Sequence, residues 1–307
     1  MIHIPFSLQP GYTEAVLFSR RVNKGLSGKA IRRENTKVMH IQQQQTVLLD
    51  WFRSVDSCII AFSGGLDSSV VAKAANLALG ENALAVMATS PTCFHGEIEE
   101  AEAVAQAIRI RFVSLPSEEM QSADFIANSP QRCYYCKQIR FRAIRDYALS
   151  HGFIMILDGS NADDATDYRP GRRAVDEFGL RSPLAELGFD KKTIRRLARS
   201  WNLPNSEKPA SPCLATRIAY GLEITEEKLR RIEGAENVLH SLNFSSVRVR
   251  LHSDELARIE VDEDQASRLF DPAISEKVIK ELKKLGFHYI TVDLEGFRSG
   301  SMNVDLS

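Results

Sequence analysis

The sequence has no long apolar run and almost no net charge. No run approaches the roughly 20 apolar residues that a membrane-spanning helix needs, and 39 lysines and arginines stand against 40 aspartates and glutamates among 307 residues. The first residues do not form a basic segment followed by an apolar one, so we expect no secretory signal. A net charge of -1 gives no strong field toward nucleic acid or a membrane surface. We therefore expect a cytoplasmic globular protein that binds neither.

Cysteine is scarce, and its count of five is odd. An odd number in a chain of this size argues against a disulfide framework. Cys58 lies in the apolar run Cys-Ile-Ile-Ala-Phe, which predicts a small buried core residue. Cys93 has no other cysteine close to it in sequence. The remaining three are candidates for chemistry.

Hydrophobic patterning predicts two folded parts after a basic extension. Residues 1–40 show no lasting periodicity, and seven basic residues but one acidic residue lie between Arg20 and Lys37. A solvated tail explains this better than a nucleic-acid arm. From residue 41 to about 220, strands alternate with helices, which predicts an α/β domain with a parallel sheet. Residues 221–307 follow the order helix–strand–strand–helix–strand, which predicts a small α+β domain.

The predicted elements also locate the site, because ligands bind at the carboxyl ends of parallel strands. Strands are predicted at 58–62, 83–88, 111–115, 153–157, 246–251, 256–261 and 288–293. Helices are predicted at 41–54, 68–79, 95–107, 135–150, 191–201, 225–242 and 275–285.

A loop of serine and glycine follows the first predicted strand, with the sequence Ser-Gly-Gly-Leu-Asp-Ser-Ser. Its glycines let the backbone approach an anion closely, and the start of the next helix offers free N–H groups. An aspartate beside phosphates needs a magnesium ion between them. A tight turn with a serine cap is the plainer alternative, but the strand–loop–helix context favours ATP. The candidate ATP contacts are Ser63, Gly64, Gly65, Asp67, Ser68 and Ser69.

This loop is not a Walker loop, since it has no Gly-Lys-Ser/Thr. It resembles the PP-loop of the N-type ATP pyrophosphatases, which include NAD synthetase, GMP synthetase, argininosuccinate synthetase and tRNA thiolases. The resemblance implies an adenine-nucleotide α-hydrolase-like sheet. It also implies cleavage of ATP between the α and β phosphates, with adenylation of the substrate and Asp67 in a catalytic role.

A second loop, residues 157–164, follows a later predicted strand and reads Leu-Asp-Gly-Ser-Asn-Ala-Asp-Asp. It resembles the Gly-Thr-Asn-x-x-Asp segment of the same superfamily. The resemblance implies that Gly159 lies at the ATP, with Asp163 and Asp164 as candidates for magnesium. A polar turn held by Asx hydrogen bonds is the alternative.

Cys133 and Cys136 form a Cys-x-x-Cys pair, and Cys213 follows Pro212 much later in the chain. Three thiolates could hold three irons of a [4Fe–4S] cluster and leave one iron open. A zinc site needs a fourth ligand, and no histidine lies close in sequence. A redox dithiol has no thioredoxin-like context here. A thiolate beside Arg217 would be stabilised as a nucleophile.

Several segments resemble the LarE family of ATP-dependent sulfur transferases, from about residue 45 to 303. They are 132–137 (Arg-Cys-Tyr-Tyr-Cys-Lys), 167–171 (Asp-Tyr-Arg-Pro-Gly), 181–184 (Arg-Ser-Pro-Leu), 213–217 (Cys-Leu-Ala-Thr-Arg), 247–250 (Val-Arg-Val-Arg), 257–260 (Ala-Arg-Ile-Glu) and 293–303 (Asp-Leu-Glu-Gly-Phe-Arg-Ser-Gly-Ser-Met-Asn). The resemblance implies adenylation of a carboxylate of pyridinium-3,5-biscarboxylic acid mononucleotide, with ATP and Mg²⁺, and its conversion to a thiocarboxylate for the nickel-pincer nucleotide. It also implies a homo-oligomer.

The family has two sulfur sources. In one, a single cysteine gives up its own sulfur; in the other, three cysteines hold a [4Fe–4S] cluster that carries an extra sulfide. Because all three cysteines are present, we predict the cluster on Cys133, Cys136 and Cys213. Cys213 is otherwise the sacrificial residue.

The substrate phosphate needs cations, and Arg248 and Arg250 share one face of a predicted strand. Thr216 and Arg217 could assist. An exposed strand kept soluble by charge is the alternative for the two strand arginines. Glu236 and Asp254 could contact the substrate or another subunit, but we expect both to be solvated carboxylates. Tyr168 and Arg169 could pack near the substrate loop, and a structural turn explains them equally well.

Three rival functions remain open. A tRNA thiolase would use the same loop, but such thiolases usually carry two Cys-x-x-Cys pairs. An amidating synthetase of the NAD or GMP type would leave the three cysteines without a purpose. A nucleotide sensor without turnover has less need of Asp67.

Overall fold

A computed structural model of the protein describes residues 40–165, 171–209, 212–298 and 301–302. The predicted basic extension lies outside the described residues up to position 39, as do Tyr168, Arg169 and parts of the 293–303 segment. None of the helices in these described ranges is long and apolar enough to cross a membrane.

Helices and strands follow one another along the chain. The helices are α1 (Ile41–Arg53), α2 (Leu66–Leu79), α3 (Glu97–Ile108), α4 (Ala123–Ile126), α5 (Arg132–Ser150), α6 (Gly171–Glu177), α7 (Pro183–Glu186), α8 (Lys191–Ser200), α9 (Glu226–Ser241), α10 (Glu263–Ala266) and α11 (Pro272–Lys284). The strands are β1 (Cys58–Ala61), β2 (Ala83–Thr89), β3 (Arg111–Pro116), β4 (Ile156–Leu157), β5 (Val247–Ser253), β6 (Leu256–Val261) and β7 (Tyr289–Val292).

The first four strands form one parallel sheet in the order β3-β2-β1-β4. β1 lies in its centre and is buried from Cys58 to Ile60. Strands covered on both faces read as continuous apolar runs, which is why β1 and β2 show no alternation. The predicted parallel α/β sheet is therefore confirmed, and Cys58 is a core residue.

Helices cover both faces of this sheet. Side chains alternate along a strand, so Ile60 packs into a core with Phe52 of α1 and Val71 of α2. Its neighbour Ile59 packs into the opposite core with Phe141 of α5. This layering leaves the ends of the strands, rather than the faces of the sheet, for a ligand.

The last three strands form a second sheet in the order β5-β6-β7. β5 and β6 are antiparallel, whereas β6 and β7 are parallel. Their core includes Leu229 of α9 and Leu282 of α11, and it also takes in Phe125 and Leu214 from earlier in the chain. The predicted small α+β sheet is present; a domain boundary near residue 220 remains a prediction.

Two boundaries differ from the prediction in ways that matter for the site. α5 begins at Arg132, three residues earlier than predicted, so both cysteines of the Cys-x-x-Cys pair lie in its first turns. β4 contains Ile156 and Leu157 but not 153–155. The chain before β4 is bonded to the end of α5 instead of to the sheet, since the N–H of Phe153 donates to the carbonyl of Ala148.

Candidate active site

The serine–glycine loop connects the end of β1 to the start of α2. Gly64 has a φ of 67°, and a Cβ placed on it would lie 2.8 Å from Cβ of Ala101. Both facts demand glycine at this position. The buried amide of Asn205 donates to the carbonyl of Gly64 and to Oγ of Ser69, each at 2.8 Å. The loop is therefore held from beneath, and Ser69 takes part in holding it.

A pocket of about 360 Å³ opens above this loop. Ser63, Gly65, Asp67 and Ser68 line it, whereas Gly64 and Ser69 do not. Oγ of Ser63 and Oγ of Ser68 lie 3.2 Å apart. The pocket is lined by three lysines as well, which suit the charge of a triphosphate. These lysines, which motif reading did not select, are Lys137, Lys191 and Lys208.

The second acidic loop forms the facing wall of this pocket. A Cβ on Gly159 would lie 2.9 Å from the backbone nitrogen of Ser68, so the two loops touch at a glycine. Asn161 Nδ2 donates to Oδ2 of Asp67 at 3.1 Å, and Nζ of Lys191 lies 2.6 Å from Oδ1 of Asp67. Asp67 is thus fixed by groups from two later parts of the chain.

The two predicted magnesium carboxylates lie differently. Asp164 is buried and lines the pocket, and its Oδ2 accepts the N–H of Asn161 at 3.0 Å. Asp163 is exposed, and its Oδ2 accepts the N–H of Lys191 at 2.9 Å. Within the described ranges no three His, Cys, Asp or Glu side chains are grouped closely enough to hold a metal ion. Magnesium binding here stays a prediction.

Cys133, Cys136 and Cys213 line one cavity of about 310 Å³, together with Cys93. We call it the cysteine cavity. It shares Ser63, Glu97 and Lys137 with the ATP pocket, so the two spaces adjoin. Motif reading missed Cys93, which has no spacing signal.

A buried ion pair supports the cysteine cavity. Glu119 is 0% exposed, and Oε1 accepts from Nη2 of Arg140 at 2.6 Å and from Oγ of Ser90 at 2.6 Å. Burial acts to raise the pKa of Glu119, but Arg140 and the hydroxyl donors hold that pKa below its usual value. Burial likewise raises the pKa of Cys136 to about 12, against the charge of Arg140. Nη2 of Arg140 also lies 3.9 Å from Sγ of Cys93.

Arg132 connects the first turn of α5 to the chain after Cys213. Its buried Nη1 donates to Oδ1 of Asn128 at 2.6 Å and to the carbonyl of Ala215 at 3.0 Å. Ala215 lies in the 3₁₀ turn Leu214–Arg217. This connection explains how cysteines 77 residues apart, at 136 and 213, come to line one cavity.

A third cavity, of about 230 Å³, is lined by Arg217, Arg248, Glu236 and Lys208. We call it the arginine pocket. Arg217 is 0% exposed and forms an ion pair with Glu236 at 2.9 Å. The expectation that Glu236 is a solvated carboxylate is wrong: it is 2% exposed, because a buried guanidinium requires a buried counter-charge. Asp254, with its side chain 66% exposed, is solvated as expected.

The predicted phosphate ligands do not share one environment. Arg250 is buried against Glu260 at 2.9 Å and lies outside the arginine pocket. Oγ1 of Thr216 donates to the carbonyl of Cys213 at 2.7 Å. Arg248 lies over the ring of Phe297, and burial beside Arg217 lowers the pKa of Arg248 to about 10. Of these four side chains, those of Arg217 and Arg248 line the pocket.

Comparison with known proteins agrees with this geometry. Residues 51–209 match the family model described as NAD synthase. The chain is 36% identical over 266 residues to the pyridinium-3,5-bisthiocarboxylic acid mononucleotide synthase of Lactiplantibacillus plantarum, covering 86% of this chain and 95% of that protein. The chain belongs to the LarE family. It is therefore an ATP-dependent sulfurtransferase of the PP-loop superfamily.

Two further relatives are similar to this chain in sequence. An uncharacterized protein of Synechocystis is 42% identical over 256 residues, covering 83% of this chain and 95% of that protein. A glutamine-hydrolyzing GMP synthase component from Archaeoglobus fulgidus is 25% identical over 195 residues, covering 59% of this chain and 63% of that protein. The match to the bisthiocarboxylic acid mononucleotide synthase is therefore higher in identity than the match to the GMP synthase component and covers more of both proteins.

Proposed function

We propose that this LarE protein adenylates a carboxylate of pyridinium-3,5-biscarboxylic acid mononucleotide and converts it to a thiocarboxylate for the nickel-pincer nucleotide. The observation that carries the proposal is the junction of the ATP pocket with the cysteine cavity, which share Ser63, Glu97 and Lys137. An adenylate formed in the first space has sulfur ligands beside it in the second. The relative from L. plantarum is named for the bisthiocarboxylic product.

Adenylation is assigned to the ATP pocket. Backbone N–H groups at the start of α2 and the hydroxyls of Ser63 and Ser68 bind the phosphates, and the three lysines offset their charge. Carboxylates suit Mg²⁺, so Asp67 and Asp164, which both line the pocket, would hold the ion together with the phosphates of ATP. Asp163, which is exposed and accepts the N–H of Lys191, would assist from outside the pocket lining. When bound, Mg²⁺ supplies charge neutralisation at the leaving pyrophosphate.

The mononucleotide phosphate is assigned to the arginine pocket. Arg217 and Arg250 are each paired with a buried carboxylate. Arg248 forms no ion pair with any carboxylate in the described ranges, and its Nη1 donates to the carbonyl of Val247 at 2.6 Å. The free-energy cost of burying the Arg248 guanidinium falls if an anion binds next to it. Arg248 is therefore the main phosphate ligand, with Arg217, Arg250 and Thr216 fixing the surrounding frame.

The sulfur source is assigned to Cys133, Cys136 and Cys213. The three thiols line one cavity and are the donor set that a [4Fe–4S] cluster with one open iron requires. In the described ranges they are not grouped closely enough to hold a metal ion as they stand, so they would have to converge on the cluster. Such a cluster, when bound, would supply sulfide. If no cluster forms, Cys213 is the residue that attacks and gives up its sulfur. We also propose a cytoplasmic homo-oligomer.

One experiment tests these assignments. The protein is purified without oxygen, its absorption spectrum is recorded, and it is incubated with ATP, Mg²⁺ and the biscarboxylate mononucleotide. We expect pyrophosphate release that depends on the mononucleotide, and a brown iron–sulfur chromophore. Release that requires tRNA, or ammonia with another carboxylate, would reject the function. A colourless protein whose Cys213 loses the mass of hydrogen sulfide would retain the function and reject the cluster.

A further inference from the structure

One carboxylate lies where the three cavities meet. Glu97, the first residue of α3, lines the ATP pocket, the arginine pocket and the cysteine cavity. Among the residues that the structure describes, no other lines all three. Glu97 lies in none of the segments on which the family resemblance was based.

During the reaction, the acyl carbon of the substrate must lie at this same meeting point of the three cavities. The carbon must reach the α-phosphorus of ATP, remain attached to the bound mononucleotide and then meet sulfur. Reacting atoms approach to about 3–3.5 Å before bonds form. If each cavity holds the component assigned to it, the acyl carbon lies at their junction, beside Glu97.

We propose that Glu97 is a catalytic base in the sulfur-transfer half-reaction, an inference that rests on the function proposed above. The sulfur nucleophile forms a bond to the acyl carbon, and its S–H proton passes to the carboxylate of Glu97. The bond from the acyl carbon to the AMP oxygen breaks, and AMP leaves with that electron pair. No oxidant or reductant is consumed. With Cys213 as the nucleophile this step gives a thioester, and the thiocarboxylate forms when the Cβ–S bond of Cys213 breaks and its Cα proton is lost to solvent, which leaves dehydroalanine. A sulfide supplied by a cluster would give the thiocarboxylate directly.

The local contacts prepare the carboxylate for this role. Oε2 of Glu97 accepts the N–H of Phe94 at 3.0 Å, which fixes the side chain against the start of its own helix. In the described part of the chain, Oε1 has no hydrogen-bond donor. Burial raises the pKa of Glu97, although Arg140 and Lys208 oppose the shift. A base whose pKa is raised toward neutrality is more effective at physiological pH.

The charges around Glu97 come from several elements. The cations that share its cavities are Arg132, Lys137, Arg140, Lys191, Lys208, Arg217 and Arg248, and the carboxylates are Asp67, Glu100, Asp158, Asp164 and Glu236. The titratable neutral groups are the thiols of the cysteine cavity, with His95 and His240 in the arginine pocket. Arg217 and Arg140 are each paired with a buried glutamate, and Lys208 and Glu100, which pair with each other and are partly exposed, also act on the pKa of Glu97.

The test separates the two half-reactions. Glu97→Gln keeps the size of the side chain and an oxygen that accepts the Phe94 N–H, but removes the base. We expect the first-turnover burst of mononucleotide-dependent pyrophosphate release to match the wild type in rate and amplitude. Trapping of the adenylate by hydroxylamine should also match, in protein without a cluster. Thiocarboxylate formation at pH 7 should fall about 100-fold or more. Glu99→Gln, the same change at an exposed position of α3, is the control and should behave as wild type.

The pH profile identifies the base. As pH rises, the sulfur nucleophile loses its own proton, so the gap between Glu97→Gln and wild type should narrow. A gap that stays constant across pH, an equal loss of adenylate and thiocarboxylate, or no loss at all would overturn the proposal. Glu97→Asp, which retains a shorter carboxylate, should keep the wild-type shape of the profile at a lower rate, and it decides the matter if the glutamine variant does not fold. Wild-type protein that forms no trapped adenylate would instead reject the proposed function itself.

Discussion

At the scale of single residues, the site depends on buried ion pairs. Arg217 is 0% exposed and Glu236 2% exposed, and the pair is joined at 2.9 Å. Oε1 of Glu236 also accepts the N–H of Val249 at 3.0 Å, which ties the pair to β5. The pair thus holds the turn after Cys213 against the second sheet.

Removing the acid of this pair should destabilise the whole protein. Glu236→Gln leaves a buried guanidinium without a counter-charge, which costs about 3 kcal/mol of unfolding free energy. The matched control is Asp254→Asn, because Asp254 pairs with Lys228 at 3.0 Å while 66% exposed. Exposed pairs contribute less than about 1 kcal/mol. Urea unfolding of both variants measures the difference, and equal losses would contradict it.

Glu236 and Asp254 also show what sequence motifs cannot reveal. Glu236 lies in a helix and Asp254 in a turn, both of ordinary polarity, and they differ in how deeply the fold buries them. The loops around Asp67 and Gly159 were predictable, since glycine and hydroxyl side chains leave a local pattern. Cys93 and Asn205 contact residues that lie far away in sequence, and Glu97 lines cavities built from distant segments, so no local pattern selected any of the three.

At the scale of elements, α5 brings the cysteines to the site. Its first turn carries Cys133 and Cys136, and Arg132 fastens that turn to the carbonyl of Ala215. Asn128 completes the connection, since its Nδ2 donates to the carbonyls of Ala219 and Leu222 at 2.8 and 3.0 Å. The apolar stripe of α5 was readable from the sequence, but its start was not, because no N-cap side chain marks it.

Loss of the hydrogen bonds made by Arg132 should move the cysteines apart without unfolding the sheet. In Arg132→Met, two buried hydrogen bonds are lost, and the 3₁₀ turn after Cys213 is released from α5. We expect slower crosslinking of Cys213 to the Cys133–Cys136 pair by a short bifunctional thiol reagent, measured by mass spectrometry of peptides. Arg142→Met, at an exposed position of the same helix, is the control. Unchanged crosslinking in Arg132→Met would show that other contacts hold the cavity.

At the scale of the whole described chain, the ATP pocket and the cysteine cavity lie at one edge of the parallel sheet, and the arginine pocket adds residues of α9 and β5. β1 and β4 pair in register and deliver the two loops of the ATP pocket to the same edge. The alternation of strands and helices predicted this arrangement, because parallel strands end together. The contributions of Asn205 and Lys208 could not be predicted, since the chain around them has neither strong periodicity nor a capping pattern, whereas Cys213 and Arg217 became candidates through the family resemblance of 213–217. The place of this segment depends on Asn205 beneath the loop and on Arg217 in the second core.

The ATP pocket is therefore formed by elements that are distant in sequence, and substitution of Lys191 tests whether their contact is needed for ATP binding. Its Nζ lies 2.6 Å from Oδ1 of Asp67, so α8 contacts α2 across the phosphate space. A ligand at 100 times its Kd stabilises the folded state by about 2.7 kcal/mol. We expect a non-hydrolysable ATP analogue with Mg²⁺ to raise the melting temperature of the wild type and of Lys192→Met, whose lysine is exposed on the same helix. Lys191→Met should lose most of this rise, because a phosphate-facing cation and the partner of Asp67 are both removed. An equal rise in all three proteins, measured by scanning calorimetry, would place the nucleotide elsewhere.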